Sequence, residues 1–377
     1  MSNTLSTASR PTQPGMTSCS RTQTPSQART GKLFLTLPLG QRLPLRFVVD
    51  KRNLIVNLSL MGLLLLLTGG SLAIGSAATL SASATFEALL GQGSALDNFV
   101  VRELRLPRVV AGIVTGSAFA LAGCLMQTVA RNRLATPGIV GLDNGATAFA
   151  VASVIGTGIS LAPPAMALTG AAVAAALTFG LTGSIGVRGY RFLVAGIGVG
   201  AVFGAITQLM LTRVSIDAAN AAYPWTVGSL NARPAHAVSI LSLALLPALL
   251  AAIRLTRSLT VMRLSDAVAT SLGVSTSRCR LMALSVAVIL TGLAVAVAGP
   301  VGMVALIGPE FARQISARNT VPVVGATLAG AIVMLAADLL GRVILAPIEV
   351  PVGIITALTG SPLLLWILLN PHTRTTP

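Results

Sequence analysis

The sequence predicts an all-α integral membrane protein, a polytopic bundle of about ten transmembrane helices with both termini cytoplasmic. Three observations carry that expectation. Apolar residues fill 54% of 377 positions while charged residues fill only 10%. The apolar residues fall in long, unbroken Leu/Ala/Val/Gly runs, and the cations gather on one side of those runs. Soluble domains carry about 25% charged residues. Each helical crossing needs roughly 20 mostly apolar residues, so a chain of this length accommodates about ten. Helices satisfy their own backbone groups in hydrocarbon. A transmembrane barrel would instead show short segments of alternating polarity.

Residues 1–31 are rich in Ser, Thr, Gln, Pro and Arg and have almost nothing to bury, so 1–52 is expected to be a disordered, basic cytoplasmic tail. A cleavable signal would put an apolar stretch near the start, whereas the first one begins near Leu54. The membrane domain is placed at 53–370 and a short cytoplasmic tail at 371–377. Within the domain the runs fall at about 54–75, 108–130, 143–160, 165–186, 192–212, 236–253, 281–298, 299–312, 321–341 and 350–369. The eighth is the most broken, with Gly299-Pro300 and Gly308-Pro309 near its ends. With ten crossings, 20 of the 26 Lys and Arg residues fall on the cytoplasmic side and six outside, the asymmetry of the positive-inside rule. The net charge of +16 is thus spread over the tail and short loops and does not form a nucleic-acid surface. Cys19, Cys124 and Cys279 lie far apart, with no metal or redox spacing.

Two segments stand out. Val101-Arg102-Glu103-Leu104-Arg105-Leu106-Pro107-Arg108 opens the second run, and Pro107 suits a first helical turn because its missing N–H would be unpaired there. Arg105 and Arg108 fall at the outer water boundary, where they anchor to lipid headgroups or dock an acidic partner. Residues 264–274 form a short polar segment ringed by Arg263, Arg278 and Arg280 and bounded by Gly273, with Asp266 suited to cap a helix N-terminus. Gly196, Gly198, Gly200 and Gly204 give the fifth run a small-residue face for close helix packing. Asp338 and Arg342 have the four-residue spacing of an ion pair. Together with Glu349 they read as a structural cluster near water rather than a proton relay. Trp225, in the outer loop 213–235, reads as an interface anchor.

Several of these stretches share an order seen elsewhere. Arg105-Leu106-Pro107-Arg108, a small-residue helix closing on Gly123…Gln127, and Asn132-Arg133-Leu134-Ala135-Thr136-Pro137-Gly138-Ile139-Val140-Gly141 resemble the FecCD-type permeases of ATP-binding-cassette importers for iron–siderophore complexes, haem and vitamin B12. So do 264–274, Ala298–Pro309, Leu335–Asp338 and Glu349–Pro362. The resemblance spans about 54–370. Arg133 departs from it where the family usually has Pro, and Glu310 where it usually has His. The resemblance implies that Arg105, Arg108 and Arg342 meet carboxylates of an extracytoplasmic substrate-binding protein. It implies that 264–274 is the coupling helix seated on the ATPase, with Asp266, Ala267, Ser271, Leu272 and Gly273 as the contact residues. It implies a path between two permease chains, a homodimer or a related heterodimer, along the fifth and tenth helices. On these, Gly196, Gly200, Gly204, Gly353, Thr356 and Gly360 are the candidates.

No G-x-x-x-x-G-K-[ST] phosphate loop occurs, and Lys32 and Lys51 are the only lysines. ATP and Mg are therefore expected to be used by a separate ATPase subunit, with no cofactor bound here and no catalytic residue in this chain. An ion-coupled secondary transporter would place a carboxylate at the midplane among broken helices, and no acid is assigned there. A channel would show charge rings or a carbonyl filter. The expected function is import of ferric siderophore across the cytoplasmic membrane by alternating access, with haem or vitamin B12 as alternative passengers.

Overall fold

The computed structural model describes residues 32–37, 45–75, 79–156, 162–182, 190–317 and 320–369. The chain forms two units, Met1–Val48 and Val49–Pro377. In the first, β1 (Lys32–Leu37) pairs with β2 (Leu45–Asp50). The predicted disordered tail thus contains paired strands over its described part, while 1–31 and 371–377, and with them the placement of both termini, lie outside the described residues.

The second unit is helical. After α1 (Lys51–Ala73), α2 (Ala82–Leu90) and α3 (Ala95–Phe99), a π-helical stretch Val100–Arg105 leads without a break into α4 (Leu106–Ala130). A 3₁₀ turn at Pro137–Val140 precedes α5 (Leu142–Val154), α6 (Pro163–Thr182) and α7 (Tyr190–Thr212). Then come α8 (Ile216–Val227), α9 (Ala235–Met262), α10 (Asp266–Ser271) and α11 (Thr276–Ala298). The unit ends with α12 (Gly302–Ile315), α13 (Val323–Val343) and α14 (Val352–Leu369). Each of the ten apolar runs becomes a helix. Among the described residues, seven are long and apolar enough to cross a bilayer alone. Of the other three, α5 has 13 residues and α12 has 14. At 1.5 Å per residue they span about 20 Å of a roughly 30 Å hydrocarbon core. Non-helical backbone adjoins both, at 131–136 with the 3₁₀ turn and at 299–301. Such backbone is tolerated at membrane depth where protein surrounds it.

The centre of the unit is α4, which packs on α13, α11, α12 and α9. The span containing it is 89% buried, against 17% for α1 and for α9, so α4 is the interior helix and those two keep faces for lipid or another chain. Lipid supplies no hydrophobic drive between helices, so close packing holds them together. A methyl group added at Gly116 would lie 2.6 Å from Met334 Cβ, and one at Gly123 2.7 Å from the Ala305 carbonyl carbon. These glycines set the α4–α13 and α4–α12 separations. Buried hydroxyls are returned to the helix: Thr115, Thr128, Thr291 and Thr327 each donate to the carbonyl four residues earlier.

Candidate functional site

The N-terminal end of α4 meets the C-terminal ends of α1 and α13 in an ionic cluster. Asp338, its side chain 1% exposed, lies 2.9 Å from Arg108 Nη2 and 3.1 Å from Arg342 Nε. Arg108 also donates to Glu349 Oε2 at 2.7 Å. Arg342 donates to the Ser71 and Ile74 carbonyls and to the Ser71 hydroxyl. Arg105 donates to the Leu72 and Ala73 carbonyls at 2.7 and 2.8 Å. Both arginines therefore satisfy the open carbonyls at the end of α1, where the helix dipole favours a cation. This corrects the expectation of three exposed cations: Arg105 and Arg342 are buried, and Arg108 is 13% exposed in its side chain. The Asp338–Arg342 pair forms as its spacing predicts. Arg102, one turn earlier, is exposed.

The other end of α4 carries a second cluster. Arg131, in the left-handed region at φ 50°, ends the helix and donates from Nε to Met262 O at 2.8 Å. Its Nη2 reaches Asp266 Oδ1 at 2.5 Å, and Arg280 of α11 holds the same carboxylate at 2.7 and 2.9 Å. The Arg280 hydrogen bond, reinforced by Arg131, keeps Asp266 below the usual carboxylate range. Asp266 is thus a tether for α10 and not its cap; Ser265 caps the helix, accepting from Val268 N at 3.1 Å. Gly273, at φ 79°, closes it: Gly273 N donates to Thr270 O and Val274 N to Ala269 O, each at 2.9 Å. Tethered this way, α10 buries Ala269 and exposes Ala267, Ser271 and Gly273. Leu264, Val268 and Leu272 are 69%, 41% and 64% exposed. Val268 lies within the helix, Leu264 just before its extended cap Ser265 and Leu272 just after its last turn, so the three bracket α10 with exposed apolar side chains. Sequence reasoning singled out Leu272 of these three and missed Leu264 and Val268, whose four-residue repeat was the available signal.

Arg133 and Glu310, the two departures from the family pattern, meet each other. Arg133 Nη1 lies 3.6 Å from Glu310 Oε1, and Arg313 Nη2 lies 3.1 Å from Oε2. Arg313 also donates to Gln127 Oε1, and Gln127 donates to Ala305 O at 3.4 Å. Burial, then the nearby Arg313 and Arg133, lower the pKa of Arg263 beside them.

The residues expected along the path make the following contacts within this chain. A methyl at Gly196 would lie 2.7 Å from Val140 Cα, and one at Gly353 2.9 Å from the Val227 carbonyl carbon. At Gly200 the nearest neighbour is Asn144 Nδ2 at 3.1 Å, and at Gly360 it is Ile307 and Met303, both at 2.7 Å. Thr356 is buried and donates to Gly353 O at 2.9 Å. Gly204 is half-buried and has room beside it. The expected anchor Trp225 is also internal: it lies buried in α8, with the Arg233 guanidinium 4.6 Å from its ring centroid.

One acid was missed. Asn144 donates to Gly200 O at 3.0 Å, near the midpoint of α7, so its neighbour Asp143 stands deep within the helical body. A methyl at Gly138 would lie 2.7 Å, and one at Gly302 3.2 Å, from Asp143 Oδ2. Oδ1 is buried and meets no hydrogen-bond partner among the described residues.

Apolar helices around an interior small-residue helix, with ionic clusters at both ends, define a multi-pass membrane protein. The sequence profile of the FecCD transport family matches residues 63–370, and the chain belongs to that family. It is 34% identical to the ferric enterobactin transport system permease protein FepG of Escherichia coli (strain K12), covering 78% of this chain and 89% of that one. It is 35% identical to the Fe(3+)-citrate import system permease protein YfmE of Bacillus subtilis (strain 168), over 85% and 96%. It is 36% identical to the hemin transport system permease protein HmuU of Yersinia pestis, over 71% and 82%. A solved structure described as an inward-facing conformation of a metal-chelate type ABC transporter shares the fold. It aligns at a TM-score of 0.72 and 23% identity, over 84% of this chain and 99% of that one. Permeases of this family work with ATPase and substrate-binding partners.

Proposed function

We propose that the chain is the permease subunit of an importer in the cytoplasmic membrane that carries ferric siderophore by alternating access. Separate ATPase subunits supply the energy from ATP and Mg, and the path forms against a second permease chain. The observation that carries the reading is α10, a short capped helix tied to α4 and α11 through Asp266, with exposed apolar side chains at Leu264, Val268 and Leu272. Exposed apolar side chains on and beside a short protruding helix are what a partner's groove accepts. The binding protein docks at the opposite end of α4, where exposed Arg102 and the Arg108–Glu349 pair offer charge to steer association. Iron-chelate permeases among the relatives support the siderophore, and the hemin permease keeps haem as the second passenger. Asp143 removes one argument against an ion-coupled carrier, but family membership and α10 favour ATP coupling.

The test is uptake of labelled ferric siderophore, haem and cobalamin in cells with and without this chain. Loss of ferric siderophore uptake on deletion supports the reading, and unchanged uptake of all three overturns it. For the coupling contact, cysteines at 264, 268 and 272 should crosslink to a co-expressed ATPase. A cysteine at 269 should not.

A further inference from the structure

The chain has ten acidic residues, and among the described residues the ion pairs given above stand at the ends of α4. Asp266 and Glu310 pair with arginines at one end and Asp338 and Glu349 at the other. Asp143 differs: it stands level with the middle of α7, and its buried Oδ1 has no hydrogen-bond partner among the described residues. A carboxylate at such depth is costly, and in membrane proteins it marks a pathway or a ligand. Oδ2 rests beside Gly138 and Gly302, the latter opening the first turn of α12, where helix N–H dipoles favour a negative charge.

The carboxylate also borders an accessible face. Asn144 is exposed, and Asp143, Gly302 and Met303 are half-buried. Asn144 reaches Gly200 of α7, and the Met303 side chain lies against Gly360 of α14. Asp143, in the first turn of α5, therefore lies between Asn144, which touches α7, and Gly302, whose neighbour Met303 touches α14.

We propose that Asp143 is the recognition point for a positively charged group on the passenger, with Asn144 beside it as a neutral hydrogen-bonding partner, so that the permease favours amine-bearing, cationic ferric chelates over neutral ones. The inference rests on the ferric-siderophore reading. A passing ammonium would supply the hydrogen bonds and opposite charge that the buried oxygen lacks.

The test compares uptake, in cells carrying the complete transporter, of a ferric trihydroxamate bearing a free amine and of the same chelate with that amine acetylated. Wild type should prefer the cation. Asp143→Asn, which keeps the shape and removes the charge, should lower the ratio of cationic to acetylated uptake at least fivefold. Asp143→Ser should do the same, and both variants should match wild type in membrane abundance and thermal midpoint. An unchanged ratio with both chelates still imported overturns the proposal and leaves the siderophore reading intact. So does a variant whose thermal midpoint drops sharply with both uptakes falling in parallel, because the carboxylate would then be a structural group. Import of neither chelate by wild type removes the underlying reading and this inference with it.

Discussion

Asp338 joins two arginines that would otherwise be buried cations, and its removal is the sharpest test of the cluster at the N-terminal end of α4. In Asp338→Ala, Arg108 keeps Glu349 at 2.7 Å and Arg342 keeps the α1 carbonyls, so neither guanidinium is stripped bare. Losing one partner of a buried pair costs about 3–5 kcal/mol, and the surviving contacts place this variant near 3 kcal/mol. Glu349→Gln is the control: its side chain is 28% exposed and it touches Arg108, which retains Asp338. A half-buried pair whose arginine keeps a second carboxylate is worth about 1 kcal/mol. The gap of about 2 kcal/mol is roughly thirtyfold in the folded-to-unfolded ratio. Equilibrium unfolding in mixed detergent–SDS micelles, followed by the fluorescence of Trp225 and Trp366, reads it directly. If the two variants agree within about 0.5 kcal/mol, Asp338 is not the junction described here.

Other outcomes follow from the same geometry. Gly330→Val should abolish folded protein in the membrane, because even a methyl there would lie 3.1 Å from the Gly116 carbonyl carbon; detection of normal amounts by fluorescence size-exclusion would contradict the packing. The double variant Leu264→Ser, Leu272→Ser should cut uptake at least tenfold while its unfolding midpoint stays at the wild-type value, since both side chains are exposed. The Asp266 tether has a pH signature. Its folded-state pKa is depressed, foremost by Arg280, so its stabilisation is complete above the unfolded value of about 3.9 and is lost only as pH falls through the lower folded value. A spin label at Leu272→Cys should keep constant mobility from about pH 8 down to the usual carboxylate range and loosen only at more acid pH, whereas Asp266→Asn should be loose throughout. Arg133→Ala and Glu310→Gln should show a coupling of about 1 kcal/mol or less in a double-mutant cycle, given a 3.6 Å separation and a 43% exposed arginine.

Local pattern carried the helices. Unbroken apolar runs placed α1, α4, α7, α11 and α13 within a few residues, and Pro107 sits in the first turn of α4 as its chemistry demands. The i,i+4 spacing of Asp338 and Arg342 was also enough to find their pair. What failed was whatever depended on distant chain. Nothing near Arg105 or Arg342 reveals that the end of α1 will lie beside them and claim their hydrogen bonds. Trp225 looked like a loop residue because α8 is too short and mixed for periodicity to register. Asp143 looked like the edge of a run. Its depth depends on the chain turning back after α4, so that 137–141 lies against the middle of α7. Arg133 and Glu310 each read as an isolated oddity, and only the approach of α12 to the end of α4 makes them a pair.

The bare leucines and valine of α10 carry a cost for the cell. A chain made without its ATPase shows water three large hydrocarbon side chains on a turn held rigid by Asp266, Ser265 and Gly273. Such a patch is what quality-control proteases and chaperones engage, so orphaned copies should be short-lived and balanced synthesis of the two subunits should extend their lifetime. On the proposed coupling role, the same contact would also report whether assembly is complete.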